Sequence, residues 1–183
     1  MQQVAAGKGR TADFRNVLAD QALFRSWYEE ALPYVYGFLL DRCGRRSLAE
    51  ELTQETLVEA VRSHASFDGR SDVLTWLCAI ARHKLADHFR RLDREERRRT
   101  RLLARRSAVE VAESSEETDA REAVWRTLRA LPAMQCAALS LHYLDGLSMR
   151  EIAEILDRSE SAVESLLSRG RESFKRIYGG DDE

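Results

Sequence analysis

Two prolines and nine glycines in 183 residues leave little to interrupt helices or to supply the turns of an all-β chain. No run of about 18 apolar residues occurs, which argues against a membrane-spanning helix. The first residues also lack the apolar core of a secretory signal, so the expectation is a soluble, cytoplasmic protein with no membrane insertion. Cys43, Cys78 and Cys136 are odd in number, far apart, and set in apolar periodic segments. That placement reads as buried reduced thiols; a disulfide framework or a metal cluster needs closer and better-matched spacing. No internal repeat is visible. What is abundant is Leu, Ala, Glu and Arg, and the fold class expected is all-α.

The formal net charge of −2 conceals two opposed blocks. Arg82 to Arg106 holds eleven Arg or Lys against four Asp or Glu, whereas Ser107 to Glu122 holds six acids against one Arg. Such segregation points to a polyanionic partner at one place and a basic surface at another. Arg105 to about Thr118 also loses helical patterning and is the best linker candidate. The organisation expected is a mobile tail over 1–19, a helical domain over 20–104, a flexible linker over 105–118, a second small helical domain over 119–178, and a tail over 179–183.

Helical periodicity fills both halves. Asp20 to Cys43 carries Leu23, Trp27, Leu32, Tyr34, Val35, Phe38 and Leu39, and Pro33 predicts a kink or two abutting helices. Gly44 fits a helix C-cap. Ser47 and Glu50 have capping-box spacing and open a helix to about His64. Its inner stripe is Ala49, Leu52, Thr56, Leu57 and Ala60. The outer face, with Glu51, Gln54, Glu55, Val58 and Arg62, suits either plain solvent or a polar protein interface with a small apolar centre.

After the turn-rich run from Phe67 to Ser71, a long helix begins near Asp72 and becomes basic through Arg90, Arg91, Arg94 and Arg97 to Arg99. Trp76 near this positive stretch can pack in a core, stack on a nucleic-acid base, or do part of each. Beyond the linker, Val124, Leu128 and Leu131 mark a further helix from about Asp119 to Ala130. Pro132 opens another, with Met134, Ala138, Leu141 and Leu144, which closes at Gly146.

The run from Leu147 to Tyr178 is the most informative. Met149, Ile152, Ala153 and Leu156 make one helical stripe, with Ser148 and Glu151 spaced as a capping box. Val163, Leu166, Leu167, Gly170, Phe174 and Ile177 make the next. Asp157 to Glu160 leaves room only for a tight turn, and Asp tolerates a left-handed backbone. Two short helices joined in this way, the second polar and basic outside, describe a helix-turn-helix.

With these residues in view, AEELTQETLVEAVRSHASFDGRSDVLTWLCAIARHKLADHFRR resembles the second conserved region of bacterial sigma factors. LRALPAMQCAALSLHYLDGLSMREIAEILDRSESAVESLLSRGR resembles their fourth. Nothing resembles the third or an extended first region, so the chain is similar to the compact extracytoplasmic-function (ECF) group of the sigma-70 family. The resemblance implies a sigma factor that binds core RNA polymerase and directs it to promoter DNA. It also implies control by an anti-sigma factor, and neither catalytic residues, cofactor, metal nor small-molecule substrate.

By position, Glu51, Gln54, Glu55 and Val58 would dock on the clamp helices of the largest polymerase subunit. Phe67, Asp68, Arg70 and Ser71, with Trp76, Arg82, Lys84, His88, Arg90 and Arg91, would hold melted non-template DNA at the −10 element, where an extruded base needs a pocket and stacking surfaces. At the −35 element the implied set is Ser148, Arg158, Ser159, Ser161, Ala162, Glu164, Ser165, Ser168, Arg169, Arg171 and Lys175. The acidic linker would follow the RNA exit path. The chain departs from the family pattern at Asp157 (usually Gly), Arg158 (usually apolar), and Glu164 and Leu166 (often Lys or Arg). Glu164 either accepts a hydrogen bond from a cytosine amino group or sits at the groove rim.

Three other readings compete, of which a pure anti-sigma-type adaptor would leave the basic, DNA-like surfaces unexplained. A stand-alone dimeric regulator would need a dimerisation or ligand domain, which the first half does not suggest. A metal-dependent hydrolase could use His83 and Asp87, which share a helix face, but His88 lies about 140° from His83 on a straight helix.

Overall fold

The computed structural model describes residues 20–103 and 120–179, together with Val17. Seven α-helices and one short 3-10 turn, with no strand, make up the described residues. The expected linker and, apart from Val17 and Gly179, the expected tails lie outside them. The chain divides into two compact units, Met1–Leu85 and Ala86–Glu183.

In the first unit, α1 (Gln21–Cys43) starts at Asp20, whose carboxylate accepts from the Ala22 N–H (2.8 Å) and the Leu23 N–H (3.0 Å). This satisfies two of the free donors at the helix start. Trp27, Ala31, Val35, Leu39 and Cys43, each four residues apart, form its buried row. Leu23 continues that row one turn toward the helix start, Tyr34 lies off it, and both are half exposed, contrary to the expected stripe. Of the kink or two abutting helices expected at Pro33, the second does not occur: α1 runs through it as one helix. Pro33 is on the exposed side, where water can serve the carbonyl that loses its N–H partner. Gly44 then ends α1 in a left-handed conformation (φ 61°), its N–H donating to the Leu40 carbonyl at 2.9 Å.

Helix α2 (Arg46–Arg62) follows after only Gly44 and Arg45, and it begins before Ser47. The Ser47–Glu50 capping box is therefore also corrected: Arg45 is the N-cap and supplies no side-chain bond. The predicted inner stripe is buried throughout, joined by Leu48 and Thr53. Thr53 and Thr56 are buried but satisfied, donating to the Ala49 and Leu52 carbonyls at 2.6 and 2.7 Å. A 3-10 turn (His64–Ser66) and a loop with Gly69 at φ 72° lead to α3 (Val73–Leu103). Asp72 caps its start, accepting from the Leu74 N–H at 2.8 Å. Leu77, Cys78, Ala81, Leu85, Ala86 and Phe89 are its buried face. Full burial of each such Leu contributes about 1.5–3 kcal/mol.

The two compact units meet inside α3. The back half of α3 lies in the second unit, where Arg90 Nη1 donates to the Ile155 carbonyl at 2.9 Å. That unit also contains α4 (Ala120–Arg129), α5 (Ala133–Tyr143), α6 (Met149–Leu156) and α7 (Glu160–Tyr178). Ile152, Leu156, Val163 and Leu167 are sealed from solvent at its centre. Gly170 lets α7 approach α5 closely; a Cβ there would meet the Leu139 side chain at 3.2 Å. Leu144, expected on the inner stripe of α5, is 47% exposed because the helix ends before it turns inward.

The tight turn between α6 and α7 comes from local chemistry. The Ser148–Glu151 capping box forms: the Ser148 N–H donates to Glu151 Oε2 at 2.9 Å, and the Glu151 N–H to Ser148 Oγ at 3.4 Å. Asp157 adopts the left-handed conformation (φ 52°, ψ 57°), and Ser159 caps α7 by accepting from the Ala162 N–H at 3.2 Å. A left-handed L-residue is strained by about 1–2 kcal/mol, and less for Asp. Asp157→Gly is therefore expected to stabilise the second unit by about 1 kcal/mol, read as a higher melting temperature. A lower melting temperature would mean that the Asp157 side chain itself holds the turn.

Candidate interfaces for polymerase and promoter DNA

The outer face of α2 presents Glu51, Gln54 and Val58 to solvent, with Glu55 half-buried beside them. Among the described residues none of the three polar side chains has an ion-pair or hydrogen-bond partner. Val58 and Val61 are exposed by 49% and 38%, giving the acidic stripe an apolar centre. Val61 lies outside the sequence-derived set, although its three-residue spacing from Val58 was a usable signal. Unpaired carboxylates around exposed valines suit a cationic partner surface with an apolar patch.

The loop before α3 brings Phe67 against Trp76, ring centroids 5.2 Å apart and tilted 47°. Both rings are half-buried, so one part packs and another stays open to a ligand. Asp68 shapes the loop by accepting from the Arg70 N–H at 3.0 Å, and its carboxylate also pairs with the Arg70 side chain at 3.3 Å. The side chain of Arg70 is 90% exposed, so that ion pair is worth little and yields readily to a phosphate.

Along α3 the sequence-derived cations separate. Trp76, Lys84 and Arg91 fall within about 80° of one another, whereas Arg82 lies about 120° round from Trp76. Arg82 turns toward α1, where its guanidinium lies 5.3 Å from the Phe38 ring centre, with Arg42 over the same ring at 3.5 Å. Beside them, burial and the neighbouring Cys78 raise the Tyr34 hydroxyl pKa above its ordinary value. Lys84 is paired with Glu59 of α2 at 3.2 Å. Arg90 pairs with Asp87 as well as with the Ile155 carbonyl. His88 is half-buried, with Arg91 at 3.5 Å from its Nδ1. Of the sequence-derived cations, Arg91 has no carboxylate partner among the described residues, and neither has Arg94 further along the helix.

In the second unit, Ser161, Glu164, Ser168, Arg171 and Lys175 share one exposed arc of α7, about 80° wide. Ser165 and Arg169 flank it, while Ala162 is half-buried behind it. Arg171 and Lys175 have no ion-pair partner among the described residues. Arg158 differs: its guanidinium pairs with Asp93 of α3 at 3.6 Å, and the same carboxylate holds Arg97 at 3.0 Å. Ser148 is committed to its capping box, which leaves it at the edge of the α6 start rather than on the α7 arc. Val124, Leu128, Leu139, Tyr143, Leu144 and Phe174 line an almost wholly apolar groove of about 360 Å³, with Arg171 and Lys175 at its edge.

All three cysteines are buried free thiols. Among the described residues no three His, Cys, Asp or Glu side chains converge as metal ligands, and no helix is long and apolar enough to cross a membrane.

Known proteins share this arrangement. Residues 27–95 match the family described as Sigma-70 region 2, and residues 121–174 match Sigma-70, region 4. The chain is 31% identical over 158 residues to the ECF RNA polymerase sigma factor SigM of Bacillus subtilis, spanning 85% of this chain and 96% of that protein. It is likewise 31% identical over 162 residues to the ECF RNA polymerase sigma factor BldN of Streptomyces coelicolor, spanning 86% and 61%. Among solved structures, the sigma factor RpoE of Bartonella quintana, determined in complex with the anti-sigma factor NepR, has a TM-score of 0.52 at 23% identity, over 84% of this chain and 95% of that one. At that identity the likeness is one of fold.

Proposed function

The chain belongs to the ECF sigma factors of the sigma-70 family, and we propose on that basis how its surfaces divide the work of directing core RNA polymerase to promoters. The outer stripe of α2 docks on the clamp helices of the polymerase. Phe67 and Trp76 form the aromatic wall of the −10 site, with Arg70 and Arg91 steering the melted strand. The exposed arc of α7 enters the major groove at the −35 element, anchored on phosphates by Arg171 and Lys175. Each half alone holds DNA weakly, and polymerase brings the two together by raising their effective concentration.

The observation that carries this reading is the order of regions 2 and 4 in one chain, the second ending in a capped helix-turn-helix with free cations on its outer helix. Activity is non-catalytic and takes place in the cytoplasm with the polymerase. An anti-sigma factor holds the protein inactive, by analogy with the RpoE–NepR complex. The test is run-off transcription with core polymerase plus this protein on a library of genomic fragments. Discrete start sites that appear only with both components are expected. A symmetric dimer that bound its site at nanomolar affinity without polymerase would favour a stand-alone regulator instead.

A further inference from the structure

The first two turns of α7, residues 160–167, contain no Lys or Arg, and their only charges are Glu160 and Glu164. In a helix-turn-helix these N-terminal positions are the ones that reach base edges. Glu160 is the first residue of α7, where a carboxylate is stabilised by the helix dipole and free N–H groups. Glu164, one turn further on, has no such reason to be acidic. It is exposed, and no ion pair or hydrogen bond engages it among the described residues.

The hydroxyls around it are already used within the helix. Ser165 Oγ donates to the Ser161 carbonyl at 3.0 Å, and Ser159 Oγ lies 3.1 Å from Ser161 Oγ. The first cation beyond, Arg169, turns its Nε to the Ser165 carbonyl at 3.2 Å. The free polar group in the base-reading stretch is therefore an acceptor-only carboxylate. Guanine O6 and N7 and thymine O4 offer it nothing; only the cytosine and adenine amino groups donate in the major groove. Adenine carries its N7 acceptor beside that amino group, facing the second carboxylate oxygen, whereas cytosine does not.

We infer that Glu164 is a specificity-determining residue of the −35 contact and selects a cytosine at one position of that element. The inference rests on α7 being the −35 helix. Arg171 and Lys175, about two and three turns further along the same arc, hold phosphates, so the carboxylate is carried into the groove against the general repulsion.

The test uses holoenzyme reconstituted from core polymerase and full-length protein, transcribing a promoter library randomised across the −35 element. Wild type is expected to favour cytosine at one position by about tenfold or more. Glu164→Gln should shift that position toward adenine, which Gln reads through its N6 and N7 groups. Glu164→Ala should level it, with every other position unchanged. Identical base preferences in all three proteins would overturn the inference; a uniform rise in output for Glu164→Ala would identify a groove-rim carboxylate. If wild type showed no preference at any −35 position, the assignment of α7 would fall and this inference with it. Glu164 is on an open helix surface, so both variants should keep the wild-type melting temperature.

Discussion

Trp76→Ala is expected to reduce open-complex formation on duplex promoter DNA by about tenfold or more, with a much smaller effect on pre-melted DNA. The magnitude follows from stacking: one base on one aromatic ring is worth about 1–3 kcal/mol. The asymmetry follows from thermodynamics, because the wall made by Phe67 and Trp76 compensates for unstacking a base only when a base must be unstacked. Trp76 is half-buried, so its removal also costs packing. Two measurements separate the effects. Thermal melting reports the packing loss, and Trp76→Phe should restore DNA opening in large part while filling less of the core. Equal defects on duplex and pre-melted templates, in step with a lowered melting temperature, would make Trp76 a core residue.

The second large effect concerns polymerase. Replacing Gln54 and Glu55 together by Ala is expected to weaken binding to core polymerase about tenfold or more. Both positions are good helix sites for Ala, so helicity and melting temperature should stay as they are. Truncating one side of a desolvated charged contact costs about 2–5 kcal/mol, much of it from the partner charge left unpaired. Because neither side chain has a partner within the described chain, no internal contact is lost that could mimic this result. Fluorescence titration of labelled protein with core enzyme reads the affinity directly. Retained affinity in the double variant would remove the α2 stripe from the docking surface and leave the exposed Val58 and Val61 to be tested alone.

The sequence by itself determined whatever depends on neighbours along the chain. The helices of each region are legible from three-and-four spacing, the α6–α7 turn from Ser148, Glu151, Asp157 and Ser159, and the sigma-70 regions from their runs of residues. A capping box or a left-handed Asp is settled within one helical turn, and a periodic stripe has only one way to face a core. Even so, Ser47 and Glu50 had the right spacing and formed no box, because the close succession of α1 and α2 starts the helix before them.

Only the tertiary structure decided which of the basic side chains are available. Eleven cations between Arg82 and Arg106 look alike in a sequence. In the folded chain Arg82 turns to the Phe38 ring, Lys84 to Glu59 and Arg90 to the Ile155 carbonyl, while Arg158 is held by Asp93. Each of these partners is distant along the chain, the last two by 65 residues. A long, flexible cation is committed by whatever carboxylate, carbonyl or ring the fold carries to it, and local spacing encodes none of those meetings. Glu164, by contrast, is exposed, and among the described residues no side chain pairs with it.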